Sequence, residues 1–228
     1  MAITTGQNAA AGDFVSSSAG AADSGKVPKL NGSGKLDGSF FKNPIVRVYT
    51  SGATWSKPSG LAYVIAEVVG GGGAGGSSGD TASGAGGGGG GYARKLIAAA
   101  SLGSSETVTV GAAAGTSSFG SHVQATGGAN ASADTPGAGG VGSLGDLNTE
   151  GADGGNGSVS TSSAPGGTGG SSHYGGGGRG GVGNNAGTAG NNYGGGGGGG
   201  GADGTGSGSS QSGGAGASGV VIVTEYYD

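Results

Sequence analysis

The chain has no cysteine, only five prolines and few large apolar side chains among its 228 residues. The absence of cysteine excludes a disulfide-stabilised scaffold and any zinc site built on thiolates. A collagen triple helix needs abundant proline and glycine at every third position, and the unbroken glycine run at 194–201 violates that period. No apolar run approaches the roughly 18 residues of a transmembrane helix, so we expect no membrane insertion.

Glycine supplies 66 residues, whereas Leu, Ile, Val and Phe together supply 32. Such a composition is typical of disordered or low-complexity chains. Between 124 and 219 only five residues belong to these large apolar types. Burying them cannot offset the entropy that is lost when the backbone of this segment becomes ordered. The segment therefore either stays a flexible linker or packs backbone against backbone.

Glycine runs at 70–73, 86–91, 175–178 and 194–201 suit backbone packing. Polyglycine can form a left-handed threefold helix without internal hydrogen bonds, so its N–H and C=O groups pair with neighbouring helices. We expect a glycine-rich insertion at about 111–218 that is packed as polyglycine II-type helices. Segments rich in Ser, Thr, Asn, Asp and Ala are predicted to connect them: 77–83, 128–136, 158–165 and 184–193.

Strand-forming sequence lies on both sides of this insertion. The segment 61–69 is a nearly continuous apolar run, and 106–110 alternates threonine with valine. The segment 219–227 lies about a hundred residues after the early strands, which suggests that the C-terminus returns to pair with them. We predict an all-β fold over 44–228, a jelly-roll-like β-sandwich. Its predicted strands are 45–50, 61–69, 92–98, 106–110 and 219–227.

Residues 1–43 are polar and small, with isolated apolar positions and no helical or strand period. We interpret this segment as an extended arm that needs a partner to become ordered, and that serves attachment or oligomerisation. The apolar residues assigned to that contact are Val27, Leu30, Leu36, Phe40 and Phe41.

The sequence offers little for catalysis, metal binding or nucleic-acid binding. Its two histidines, His122 and His173, lie in segments that predict exposed loops, and the acidic residues lack EF-hand spacing. From 96 onward the chain has one basic residue, Arg179, against eight acidic ones, which is the reverse of a nucleic-acid-binding surface. We therefore expect no enzyme activity, no cofactor and no metal site.

Aromatic, amide and guanidinium groups cluster between 171 and 193 on loops of small residues. Tyrosine gives stiff contact area and asparagine gives adaptable hydrogen bonds, a combination typical of recognition surfaces and suited to saccharides. An equally weighted alternative is that the tyrosines plug the ends of the glycine helices. The candidate receptor-binding residues are His173, Tyr174, Arg179, Asn184, Asn185, Asn191, Asn192 and Tyr193.

Three stretches resemble the glycine-rich domain found in tail-fibre and receptor-binding proteins of tailed bacteriophages. They are 48–73, with its Thr-Trp-x-Lys-Pro turn before a strand and a glycine run, 86–112, and the closing segment from 216. The resemblance implies a virion protein of the phage tail or fibre, made in the host cytoplasm and usually a homotrimer. Its arm would attach to other virion proteins, and its tip loops would bind a bacterial receptor, either a saccharide or an outer-membrane protein.

Two other functions stay open at this point. One is a purely structural fibre, filament or capsid-decoration protein that reads no receptor. The other is an ice-binding polyglycine II protein, which would favour flat faces with regular small-residue repeats. The irregular loops argue against the second.

Overall fold

The computed structural model describes residues 14–15, 26–28, 30, 33–35, 42–159, 163–204 and 209–227. Its centre is a pair of five-stranded antiparallel sheets. The first sheet has the order β10 (Gly142–Ser143), β9 (Val123–Ala125), β8 (Ser117–Phe119), β7 (Ser105–Thr109), β4 (Ala53–Ser56). The second has the order β11 (Leu147–Thr149), β6 (Tyr92–Ala98), β5 (Leu61–Val69), β12 (Val220–Tyr227), β3 (Ile45–Tyr49). A separate pair, β1 (Phe14–Val15) and β2 (Val27–Pro28), runs parallel.

The two sheets enclose one apolar core. Alternation along β5 directs Val64, Ala66 and Val68 inward, and all three are fully buried. Trp55 of β4 and Phe119 of β8 close the core from the first sheet, with their rings edge to face at 5.4 Å between centroids. The prediction of an all-β sandwich whose C-terminal strand pairs with the early strands is therefore confirmed, and β12 lies between β5 and β3.

A buried carboxylate joins the two sheets. Glu225 of β12 is fully buried and accepts hydrogen bonds from Trp55 Nε1 at 2.8 Å, Tyr227 Oη at 2.7 Å and Arg47 Nε at 2.5 Å. Burial alone raises the pKa of Glu225, but the hydrogen bonds from Arg47, Tyr227 and Trp55 outweigh it and hold the pKa below its usual value. The carboxylate thus stays charged while it connects strands of both sheets.

Ten extended segments, here called rods, continue from one end of the sandwich. Gly84, Gly87 and Gly90 donate N–H bonds of 2.8 to 2.9 Å to Gly200, Gly197 and Gly194, so bonds to one neighbour recur at every third residue. A β-ladder would repeat at every second residue, and this period of three is that of a polyglycine II-type helix. The rods are 70–78, 83–91, 126–132, 137–141, 151–158, 164–172, 175–182, 186–191, 194–202 and 211–219.

The rod 83–91 is surrounded on all sides. Its N–H groups donate to three neighbours in turn, and its carbonyl groups accept from three others. The rod 194–202 has six neighbours in the same way. The hydrogen bonds therefore define three layers of three, four and three rods. They are 151–158, 164–172 and 175–182; then 137–141, 83–91, 194–202 and 186–191; then 126–132, 70–78 and 211–219.

This packing explains where glycine is uninterrupted. A Cβ added at Gly197, in the middle layer, would approach the carbonyl of Gly214 closer than 3.0 Å, a distance that real Cβ atoms essentially never show. In the outer rod 164–172, by contrast, Pro165, Thr168 and Ser171 recur at every third position and are exposed. The larger side chains of this rod thus occur where it faces solvent, and the buried rod positions that are not glycine carry only alanine or serine, such as Ala85 and Ser83.

The distribution of rods differs from the predicted insertion at 111–218. Two rods, 70–78 and 83–91, precede it, and the short strands β8, β9, β10 and β11 lie within it. These strands contain few large apolar residues and follow no long alternating pattern, so the sequence did not indicate them. Their pairing to β6 and β7 makes the rods and the sandwich continuous.

Candidate recognition surface

The rod bundle has a near end, which adjoins the sandwich, and a far end, which lies away from it. At the near end the chain passes into the sandwich, for example where the rod 70–78 follows β5 and the rod 83–91 leads into β6. The far end carries connections at 79–82, 132–136 and 183–185. Each rod has about 3.1 Å of rise per residue, so eight residues separate the two ends by roughly 25 Å.

His173 and Tyr174 lie at the near end, against the second sheet. The His173 ring stacks on Tyr92 at 3.9 Å between centroids, and the hydroxyls of Tyr92 and Tyr174 donate to Glu67 Oε1 at 2.6 and 3.1 Å. Burial, together with the adjacent Glu67 carboxylate, raises the pKa of Tyr174 to about 12. The Tyr174 side chain is still 42 % exposed, so this cluster both covers the sheet and faces solvent.

Tyr193 also lies at the near end, with Asn191 and Asn192 beside it. Its half-buried ring packs against the small core cluster of Val69, Tyr92 and Val220. The exposed Asn191 donates its backbone N–H to Gly176 O at 2.9 Å. The contacts of Tyr193 are those expected of a tyrosine that closes the end of a rod bundle.

Asn184 and Asn185 lie at the far end. The Asn185 amide donates to Val182 O at 2.6 Å, and Asn184 Oδ1 accepts from Gln211 Nε2 at 3.0 Å. Arg179 lies between the two ends, on the exposed side of the rod 175–182. The structure therefore places five of the eight candidate residues at the near end and two at the far end, with Arg179 between them, because the rod 175–182 separates the two groups.

The far end also includes exposed residues of two neighbouring connections, which were not among the candidate receptor-binding residues. Asp80 and Thr81 are exposed at 79–82, and Asp134 and Thr135 are exposed at 132–136. Both segments were predicted as loops, but nothing in the sequence indicated that they share an end with Asn184. The hydrogen bonds between rods bring them together.

The arm residues are only partly described. Val27 pairs with Phe14 in the short parallel contact of β1 and β2, and Leu30 is exposed. Leu36, Phe40 and Phe41 lie outside the described residues. A cleft lined by Lys42, Asn43, Ile45, Ser59 and Tyr227 lies where the described domain begins.

The described part of the chain contains no group of three or more His, Asp or Glu side chains placed to hold a metal ion. His122 is within 3.3 Å of Glu106, a pair at a turn of the first sheet. Within the same residues, no helix has the length and apolar composition required to cross a membrane.

A family model described as a glycine-rich domain matches residues 48–192, which is more than half of the chain. The match begins within β3 and ends beside Tyr193, so it spans eight of the ten rods, all strands of the first sheet, and β5, β6 and β11 of the second. No curated protein matches the chain.

Proposed function

The chain belongs to the glycine-rich domain family. From its sequence resemblance, we propose that it is a non-enzymatic bacteriophage tail-fibre or tail-tip adhesin. It binds a receptor on the bacterial surface, a saccharide or an outer-membrane protein, during host attachment. The phage assignment is supported by the sequence resemblance over 48–73, 86–112 and 216–227. The assignment of an adhesin is supported by the polar connections at the far end of the rod bundle.

The observation that carries the proposal is the difference between the two ends of the rod bundle. The near end passes into the sandwich, whereas the far end carries polar connections. At the far end, polar connections such as 79–82, 132–136 and 183–185 emerge from rods whose positions are fixed by up to six neighbours. Loops held by such a scaffold are preorganised, which reduces the entropy lost on binding. Many copies on one virion would then add avidity to a modest single-site affinity.

The far end is accordingly the better place for the receptor contact, and Asn184 and Asn185 are the candidates that lie there. His173, Tyr174 and Tyr193 form a second, near-end candidate with aromatic faces suited to a sugar ring. Arg179 lies on the flank between the two. One set of variants distinguishes the two ends.

The test is binding of the fluorescently labelled full chain to a panel of bacterial strains. Replacing both Asn184 and Asn185 with Ala is expected to abolish binding, whereas replacing Tyr174 with Ala is expected to leave it unchanged. Thr168→Ala, on the exposed side of an outer rod, is the matched control. Loss of binding with Tyr174→Ala alone would move the receptor contact to the near end. A chain that binds no strain would favour the purely structural alternative.

A second function is favoured by one specific observation. One outer layer presents exposed small residues at every third position, Thr126, Ala129 and Ser132 on one rod and Ser212 and Ala215 on another. The spacing along each rod is about 9.3 Å, and this regular repeat of small residues is the feature that an ice-binding protein would favour. Thermal hysteresis and inhibition of ice recrystallisation by the purified chain would support this alternative, and their absence would exclude it.

A further inference from the structure

We infer that the receptor contact at the far end takes an uncharged saccharide, and that Asn184 and Asn185 bind one of its hydroxyl groups between a hydrogen-bond donor and an acceptor. This inference rests on the proposed function, because it names the chemical class of the receptor. It selects the saccharide from the two receptor classes proposed above, and it excludes acidic polysaccharides.

The two asparagines belong to a turn, 183–185, whose backbone is fixed. Gly183 has a φ of +56°, the left-handed conformation with which the chain reverses direction after the rod 175–182. The Asn185 N–H donates to Gly183 O, and Asn185 O accepts from the N–H of Gly201 in the central rod 194–202, both at 2.9 Å. The exposed side chains of Asn184 and Asn185 therefore extend from a preorganised backbone.

A glutamine on a neighbouring rod fixes the orientation of the Asn184 amide. Gln211 Nε2 donates to Ser209 O at 3.0 Å, and because a backbone carbonyl can only accept, this bond identifies the nitrogen of the Gln211 amide. The same nitrogen donates to Asn184 Oδ1 at 3.0 Å. Asn184 therefore directs its oxygen to Gln211. No described residue accepts a bond from its Nδ2, which remains available to a ligand as a donor.

The Asn185 amide has the opposite orientation. Its Nδ2 donates to Val182 O at 2.6 Å, again a carbonyl that can only accept. Among the described residues none donates to Asn185 Oδ1, so consecutive residues offer one free donor and one free acceptor. A hydroxyl group can accept one hydrogen bond and donate another through the same oxygen, whereas a carboxylate only accepts and an ammonium group only donates. Saccharides carry hydroxyl groups on adjacent carbons.

The charge of the far end disfavours an anionic ligand. In its three described connections the charged residues are Asp80 and Asp134, both exposed, and none of the residues is basic. Arg179 lies about 12 Å from Gly183 along its rod, at about 3.1 Å per residue. The phosphate or carboxylate groups of an acidic polysaccharide would therefore meet charges of the same sign. The hydroxyl groups of a sugar can instead donate to the two carboxylates.

Hydrogen bonds connect the acidic connection 79–82 to the asparagines. The Ser78 N–H donates to Gln211 O, and the Gln211 N–H donates to Ser78 Oγ, both at 2.8 Å. Asp80 follows Ser78 by two residues, and Gln211 is also the residue that orients Asn184. A ligand bound by Asn184 would therefore lie beside an acidic connection rather than a basic one.

The first experiment treats cells of a strain that the labelled full chain binds. Periodate, which cleaves vicinal diols, should abolish binding to these cells, whereas a protease of broad specificity should leave it unchanged. Polysaccharide released from the cells by mild acid is separated by anion exchange, and the neutral fraction should compete for binding while the acidic fraction should not. Binding should be unaffected between about 50 and 500 mM NaCl, because salt screens only charged contacts.

The second experiment changes the group that the turn presents. Asn184→Asp keeps the oxygen that accepts from Gln211 but replaces the donor with an acceptor, so binding should weaken about 10- to 100-fold. Gln211→Glu, at the positioning residue, should weaken it similarly, because the Asn184 amide must turn its nitrogen towards the new carboxylate. Gln124→Glu, at a half-buried position on β9, makes the same change of amide and charge and should leave binding unchanged. Circular dichroism checks that each variant is folded.

The other outcomes overturn the inference in distinguishable ways. Binding that survives periodate and is lost after protease treatment would show a protein receptor, and the adhesin proposal would stand. Competition by the acidic fraction, or binding that salt strengthens or weakens, would show a charged receptor. Full binding by folded Asn184→Asp and Gln211→Glu variants would place the contact elsewhere. A chain that binds no strain would refute the adhesin proposal, and this inference with it.

Discussion

Replacing Gly197 with Ala should strongly destabilise the protein. Gly197 lies in the middle layer, donates to Gly73 O at 2.9 Å and accepts from the Gly87 N–H at 2.9 Å. An added Cβ would overlap the carbonyl of Gly214, so neighbouring rods must move apart. Overpacking costs about 1–3 kcal/mol, and each backbone group left without a partner costs about 1–3 kcal/mol more. With one such group, we expect a loss of about 2 to 6 kcal/mol.

The matched control is Gly176→Ala, on the exposed side of the rod 175–182. Within 4 Å, a Cβ there meets only the side-chain nitrogen Nδ2 of Asn191, at 3.5 Å. Because alanine restricts the unfolded chain, this change should be neutral or stabilise the fold by up to about 1 kcal/mol. Thermal and urea unfolding, followed by circular dichroism, compare the two variants. For a chain of this size a loss of 3 kcal/mol lowers Tm by about 6 to 12 °C. Equal stability of the two variants would refute packing of glycine backbones as the basis of the fold.

Two further predictions concern the bundle and the sandwich. A protease of broad specificity should leave the rods between 124 and 204 intact under native conditions, because their backbone groups are bonded to neighbouring rods; rapid cleavage throughout this region would contradict the structure. Glu225→Gln should destabilise the fold by about 1.5–3 kcal/mol at neutral pH, because hydrogen bonds to a charged group are replaced by weaker ones. Because the pKa of Glu225 is lowered on folding from 4.5, its stabilising contribution is present above that pH and is lost as the pH falls further. The difference in stability between wild type and variant should therefore shrink in acid, and a difference independent of pH would contradict the assignment.

The strands could be predicted from sequence because their signals are local. The segments 45–50, 61–69 and 92–98 carry β-branched and apolar residues, and the structure contains β3, β5 and β6 there. β4 was missed, although Trp55 at its centre is buried, because Ala53–Ser56 lies between turns and is short. The strands β8 to β11 were missed for the related reason that their two or three residues give no period.

The candidate site was less predictable than the fold. His173, Tyr174, Asn184 and Asn185 are close in sequence, and this suggested one surface. In the structure the rod 175–182 lies between the two pairs, so they are separated by its whole length. The near-end contacts of Tyr174 with Glu67, and of His173 with Tyr92, involve partners about a hundred residues earlier, and no local pattern indicates them.

The sequence by itself determined that side chains could not form the core over much of this chain, because five large apolar residues cannot order the segment from 124 to 219. It also determined which residues form the principal strands. Only the tertiary structure decided which rods lie at the centre, which loops share an end, and which sheet face is left exposed. The physical reason is that a threefold glycine helix has no internal hydrogen bonds. Its partners lie on other rods, some of them more than a hundred residues away along the chain, so its position in the bundle is fixed only when the neighbouring rods are in place.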